Sequence, residues 1–193
     1  MKIVVTAFDA FGEDKINSSL KVLEKIERDI IKITIPTSFK KSSQILEDIV
    51  KNHRPDVVLS LGQAAGRNRI SIERVAINID DARIKDNDSY KPKDKLIRKD
   101  GETAYFSNLN IRKIEENLKK ENIPCYISNT AGTFVCNHLL YEALFLAKKY
   151  NFKAGFIHLP YLKEQVLDKD MPFMELTTMI KAVQNIIDTI KSR

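Results

Sequence analysis

The chain has 193 residues, 43% of them hydrophobic and 30% charged, with a formal net charge of +6. That length predicts one domain spanning 1–193, able to bury roughly 70% of its unfolded surface without staples. Two cysteines, Cys125 and Cys136, exclude a disulfide framework, and six glycines and six prolines exclude collagen-like and low-complexity classes.

Strand and helix periods alternate along the chain. Lys2–Ala7 is a β-branched run that predicts a strand, meeting Asp9 too soon to be an export signal. Ser18–Arg28 carries Leu20, Val22, Leu23 and Ile26 at helical spacing, and Asp29–Pro36 reads as a second strand. A helix follows from Ser38 to about Asn52, closed by His53-Arg54-Pro55. Val57–Leu61 predicts a buried strand ended by Gly62, and Ile70–Asn78 alternates as one further strand. From Asp80 to about Asn110 the chain turns polar and loses its period, which predicts a functional loop or a partly ordered excursion. Then come a helix over Ile111–Glu121, a strand over Cys125–Ser128 and a helix over Val135–Tyr150. A strand over Ala154–Leu159 and a helix over Met174–Lys191 close the series. This alternation predicts an α/β fold, a mostly parallel twisted sheet with helices on both faces. Ligands would then gather beyond the carboxyl ends of the strands.

Charge and motifs narrow the function. The lysines fall in pairs beside acids (Lys40-Lys41, Lys119-Lys120, Lys148-Lys149), which reads as solvated helix faces rather than a nucleic-acid stripe. Apolar stretches are too short and too often broken by lysine to span a membrane, and the expected compartment is a reducing cytoplasm. No Walker, Rossmann, zinc-protease or serine-elbow motif is present. The three histidines (His53, His138, His158) lack metal-ligand spacing.

What remains is a set of three residues. Cys136 opens a predicted helix after the small residues of Ser128–Val135. Free N–H groups and the helix dipole there favour a thiolate and form a candidate oxyanion site. The competing reading is a small buried hydrophobe, and Cys125, inside a strand, takes that reading. A cysteine nucleophile needs a histidine base. His138 sits two positions along the same helix and points away, and His53 reads as a helix cap; His158 ends a strand where sites form and is the best base by elimination, its competing reading a satisfied histidine at a strand end. Glu73 interrupts the apolar run Ile70–Ala76, where a carboxylate needs a partner, either an imidazolium or Arg74 or Arg83.

At these residues the sequence resembles the pyroglutamyl-peptidase I (pyrrolidone-carboxylate peptidase) family of cysteine peptidases. The stretches Ser128–His138 and Gly62–Asn78 carry the resemblance, which runs from Phe8-Asp9-Ala10-Phe11-Gly12 to Phe156–Tyr161. It implies Cys136 as nucleophile, His158 as base and Glu73 as orienting acid. It also implies an α/β/α sandwich and hydrolysis after an N-terminal pyroglutamyl residue through a thioester. By resemblance there is no metal and no cofactor, the setting is cytosolic, and the assembly is a homotetramer. Pocket residues by similarity are Phe8, Phe11, Thr37, Ile84, Phe134 and Val135, with Gln63 and Arg83 close by. The family's N-terminal segment usually reads Gly-Phe-x-Pro-Phe-Gly-Gly and then Asn-Pro-Ser. Here Ala7, Ala10, Glu13 and Ser18 depart from it, and Ala65 replaces a common Gly. Those departures predict altered loop stiffness and keep a second reading open, a non-catalytic module of the same fold that binds pyroglutamyl ligands.

Overall fold

The computed structural model describes residues 1–192. Its first strand, β1 (Ile3–Phe8), is buried along its whole length, as β-branched residues at the centre of a parallel sheet should be. The chain then forms α1 (Ser18–Lys25), β2 (Ile31–Ile35), α2 (Phe39–His53), β3 (Val57–Gln63), β4 (Ile70–Glu73) and β5 (Val75–Ile77). After these come β6 (Ala104–Phe106), α3 (Ile111–Lys120), β7 (Cys125–Ser128), α4 (Val135–Tyr150), β8 (Lys153–Leu159) and α5 (Leu176–Lys191). Side-chain caps start three helices: Asn17 accepts from the Ser19 amide, Ser38 from Lys41 and Asn110 from Lys113.

Six strands make one sheet in the order β2-β1-β3-β8-β4-β7. Every neighbouring pair is parallel except β4 with β8, which is antiparallel. Side chains alternate between two cores. Ile3, Val5, Leu59, Ile72 and Ile157 pack toward α1, α3 and α5. Val4, Phe8, Val58 and Phe156 pack toward α2 and α4. The α/β/α sandwich expected from the sequence is the fold observed, and no described helix is long and apolar enough to cross a membrane.

One expectation changes, and a second gains detail. The single strand predicted over Ile70–Asn78 is two, because the Arg74 amide donates to Ser128 O and the chain then leaves the main sheet. β5 pairs instead with β6 in a separate antiparallel ribbon. The polar excursion after Asp80 is held by hydrogen bonds within itself and to its neighbours. Asp80 and Lys95 form a bridge, and buried Asp86 accepts from the amides of Phe39, Asp88 and Tyr90. Asn87 reaches back to Asp9 Oδ1 and Ala10 O. The excursion is a strap stitched to the first loop and to the start of α2.

Candidate active site

Strand alternation puts Ser71 and Glu73 of β4, Phe156 and His158 of β8, and Gly62 of β3 on the face covered by α4. The antiparallel register sets Ser71 beside His158, so Glu73 reaches His158 along the diagonal. Glu73 is fully buried, and its Oε1 accepts from His158 Nδ1 at 2.8 Å. The same oxygen accepts from Arg67 Nη1 at 2.6 Å. Cys136 arrives from above, in the first turn of α4. Its Sγ lies 3.1 Å from where a Cβ on Gly62 would stand, and Gly62 is the register partner of His158. Cysteine, histidine and glutamate thus converge at the carboxyl ends of β3 and β8. With Nδ1 donating to Glu73, the neutral imidazole of His158 keeps its Nε2 lone pair free.

The electrostatics depart from expectation at the sulfur. Cys136 keeps partial exposure, yet burial, followed by the Glu73 charge, pushes its thiol up to about 12. Arg67 and the helix amide oppose the shift without reversing it. Desolvation outweighs the dipole of the helix end. Burial also holds His158 below the usual histidine range, against the pull of Glu73. For Glu73 burial is again the largest influence and pushes upward, but His158, the nearby Ser128 hydroxyl and Arg67 together hold the carboxyl below its ordinary value. The resting centre is therefore a thiol beside a neutral imidazole and an ionised carboxylate.

The residues expected to line a pocket divide into groups. Phe11 packs on Phe134 at 5.9 Å between ring centroids, and Phe134 on Phe39 at 5.4 Å. Exposed Ile84 lies 3.7 Å from where a Cβ on Gly12 would be. Thr37 is buried, held to Asp9 through its amide and hydroxyl. Phe8 sits in the core against Phe156, and Val135 is buried as the first residue of α4. Arg83 is exposed. Gln63 stands apart: its side chain turns to the opposite face, where Oε1 accepts from the Ser18 amide and Gln165, and Nε2 donates to Asp14. Its amide group is spent on holding the first loop.

Two residues beside the nucleophile were not singled out as fasteners by the sequence. Asn137, 1% exposed, donates to the carbonyls of Ile77 and Ile79 and accepts from the Ile77 amide. His138 turns away from Cys136, as the helical spacing requires, with Nδ1 on Asp80 at 2.8 Å and Nε2 on Ser43 at 2.6 Å. This Ser-His-Asp connectivity ties α4 to α2, and Ser43 sits in the second turn of α2, past the helix's free amides. The signal available in the sequence was polarity: two amide-bearing or imidazole-bearing residues in a first helical turn need partners.

A family model described as pyroglutamyl peptidase matches residues 1–193. The chain belongs to the pyroglutamyl peptidase family. It is 49% identical to the pyrrolidone-carboxylate peptidase of Brachyspira hyodysenteriae, with 98% of each chain covered. It is 52% identical to pyrrolidone-carboxylate peptidase 2 of Caldanaerobacter subterraneus subsp. tengcongensis, over 98% of this chain and 96% of that one. The crystal structure of pyroglutamyl peptidase I from Bacillus amyloliquefaciens superimposes with a TM-score of 0.96 at 38% identity, covering 100% of this chain and 95% of that one. Membership makes this chain an enzyme, a hydrolase of the pyroglutamyl peptidase class.

Within the pyroglutamyl peptidase fold the chain's departures are absorbed locally. Ala7 is buried inside β1, where a strand needs no glycine. Between Asp9 and Lys15 the backbone enters the left-handed region at Gly12 (φ 62) and nowhere else, so neither Ala10 nor Glu13 is strained. Ser18 is the first residue of α1, a position that also suits proline. Here its amide is used, donating to Gln63. Beside Ala65 it is Gly66 (φ 76) that makes the turn.

Proposed function

We propose that the chain is a cysteine exopeptidase that cleaves the amide bond after an N-terminal pyroglutamyl residue and releases 5-oxoproline. The observation that carries this reading is the Glu73–His158 hydrogen bond of 2.8 Å set beside the sulfur of Cys136. His158 Nε2 takes the thiol proton as the sulfur bonds to the acyl carbon, and the carbonyl electrons move to oxygen. Amides at the start of α4 hold that oxyanion. The adduct collapses as His158 returns the proton to the leaving amine, leaving a thioester on Cys136. Water then attacks the thioester carbon, giving a proton to His158, which returns it to the sulfur as the C–S bond breaks and 5-oxoproline leaves. A high resting thiol makes His158 indispensable, because proton transfer must accompany attack.

Pyroglutamate is a neutral lactam without a free amine, so apolar walls rather than counter-charges should select it. Phe11, Phe134, Ile84 and Thr37 supply such walls, with Phe8 and Val135 behind them and Arg83 at the rim. Gln63 contributes by holding the first loop in place. Assembly as a homotetramer and a cytoplasmic setting belong to the same reading and rest on the family resemblance.

The deciding experiment is fluorophore release from a pyroglutamyl amide under reducing conditions, comparing wild type with Cys136→Ala. Turnover by wild type alone is expected. Turnover surviving in Cys136→Ala would overturn the nucleophile assignment. Folded wild-type protein that binds pyroglutamate without releasing product would establish the non-catalytic module instead.

A further inference from the structure

Glu73 poses a problem of charge balance. It is fully buried, both of its partners meet at Oε1, and Oε2 has no hydrogen-bond partner among the described residues. A carboxylate this deeply buried stays ionised only where a cation or hydrogen-bond donors compensate it, and a cation does so most strongly. Two cations are available in principle, an imidazolium at His158 or the guanidinium of Arg67. An imidazolium has no lone pair for the thiol proton. The guanidinium is always charged and has several donors in a fixed fork. Arg67 uses that fork, with Nη1 on Glu73 and Nη2 on Thr130 O at 3.1 Å. Thr130 belongs to the turn between β7 and α4, which delivers Cys136.

We propose that Arg67 is a positioning residue of the reaction centre, clamping the Glu73 carboxylate to the loop that carries Cys136 and supplying its counter-ion in place of His158. The proposal rests on the reading above, since it assigns how the base is prepared. The titratable and charged groups around His158 are Glu73 from β4, Cys136 from α4 and Arg67 from the turn between β3 and β4. The Arg67 charge acts on all three members in a consistent direction. It favours the carboxylate of Glu73, favours the thiolate of Cys136 and disfavours the imidazolium of His158. The side chain is 23% exposed, so it closes the outer side of a carboxylate that is itself out of reach of solvent.

The test compares wild type, Arg67→Gln and Arg67→Lys in two measurements. One is the pH profile of kcat/KM and kcat on a fluorogenic pyroglutamyl amide. The other is the rate of iodoacetamide alkylation at Cys136, read by peptide mass mapping. In Arg67→Gln the acid limb of kcat/KM is expected to move up by about one pH unit, because the imidazolium loses a repulsive neighbour. KM should change little, while kcat falls by at least about tenfold. Alkylation at pH 8 should slow, because the thiolate loses a favourable charge. Arg67→Lys keeps the charge but lacks the fork, so the acid limb is expected to stay at the wild-type position with kcat reduced. A fall in kcat with the acid limb unmoved in Arg67→Gln would show mere structural support and overturn the proposal. If Arg67→Gln does not fold, wild-type kcat in Arg67→Lys would overturn the clamp. If wild type itself shows no turnover, the peptidase reading fails separately, and an alkylation rate unchanged in Arg67→Gln would still overturn the charge assignment.

Discussion

A methyl group at Gly62 would stand 2.6 Å from Phe156 Cζ and 3.1 Å from Cys136 Sγ, so this position accepts hydrogen alone. Gly62→Ala is therefore expected to push the Phe156 ring and the sulfur apart. Overpacking of this kind costs about 1–3 kcal/mol, to be read from chemical denaturation. Misplacement of a nucleophile by about 1 Å costs on the order of a hundredfold in rate, so kcat/KM should fall between about tenfold and a hundredfold. Wild-type kcat/KM in Gly62→Ala would mean that the sulfur is not held over the β3–β8 seam. At this scale the sequence identifies which residue types converge. Cysteine at a helix start, histidine at a strand end and a lone glutamate in an apolar run all carry their signal locally. The ionisation of the thiol does not. Helix position argues for a depressed thiol, and burial, which depends on how α4 lies on the sheet, reverses it. Arg67 is silent in sequence for the same reason, since its partners come from β4 and from the turn before α4.

The first turn of α4 has no side-chain cap of its own, and its placement depends on neighbouring elements. Asn137 fastens it to β5 and the residue pair beyond through three hydrogen bonds, all on the Ile77–Ile79 backbone. Asn137→Ala would leave the Ile77 amide and the Ile79 carbonyl without their side-chain partner in a part-buried setting, while the Ile77 carbonyl keeps the Ile79 amide. Unsatisfied buried groups cost about 1–3 kcal/mol each, and these two are part-buried, so a loss of about 2 kcal/mol is expected in denaturant unfolding, with kcat lowered as well. A loss below about 1 kcal/mol would show that the contact is not a fastener. Element by element, the strands and helices with clean periods were legible, because their faces follow from burial alone. The division of Ile70–Asn78 was not, because it depends on a hydrogen bond from the Arg74 amide to Ser128 O, 54 positions further along the chain. The order within the Asp80–Asn110 excursion was equally hidden. Its buried Asp86 and its bridge from Asp80 to Lys95 replace apolar periodicity with polar pairing, which leaves no repeat to read.

Across the whole molecule, the two cores hold the sheet rigid and leave the ionisable centre locked between β4, β8 and α4, which couples its protonation to folding. Burial keeps His158 below the ordinary histidine value of 6.5 in the folded chain. As pH falls through about 6.5, the unfolded chain gains a proton that folded His158 does not accept. The unfolded state then holds more protons than the native one, so stability must fall as pH falls in that interval. Glu73 acts in the same direction at lower pH, because its carboxyl is held below the ordinary 4.5 and its protonation costs the pair with His158 and Arg67. The stability tied to Glu73 is thus present above about 4.5 and is lost as pH falls through its lower folded value. Thermal unfolding of the wild type is expected to show a Tm that declines from pH 7 to pH 5 and then more steeply below. In His158→Gln the decline between pH 7 and pH 5 should flatten, whatever the absolute Tm of that variant. The slope, rather than the level, separates the titration of one buried imidazole from the general self-repulsion of a chain with net charge +6. A His158→Gln slope equal to that of wild type would show that His158 does not titrate differently in the folded and unfolded states.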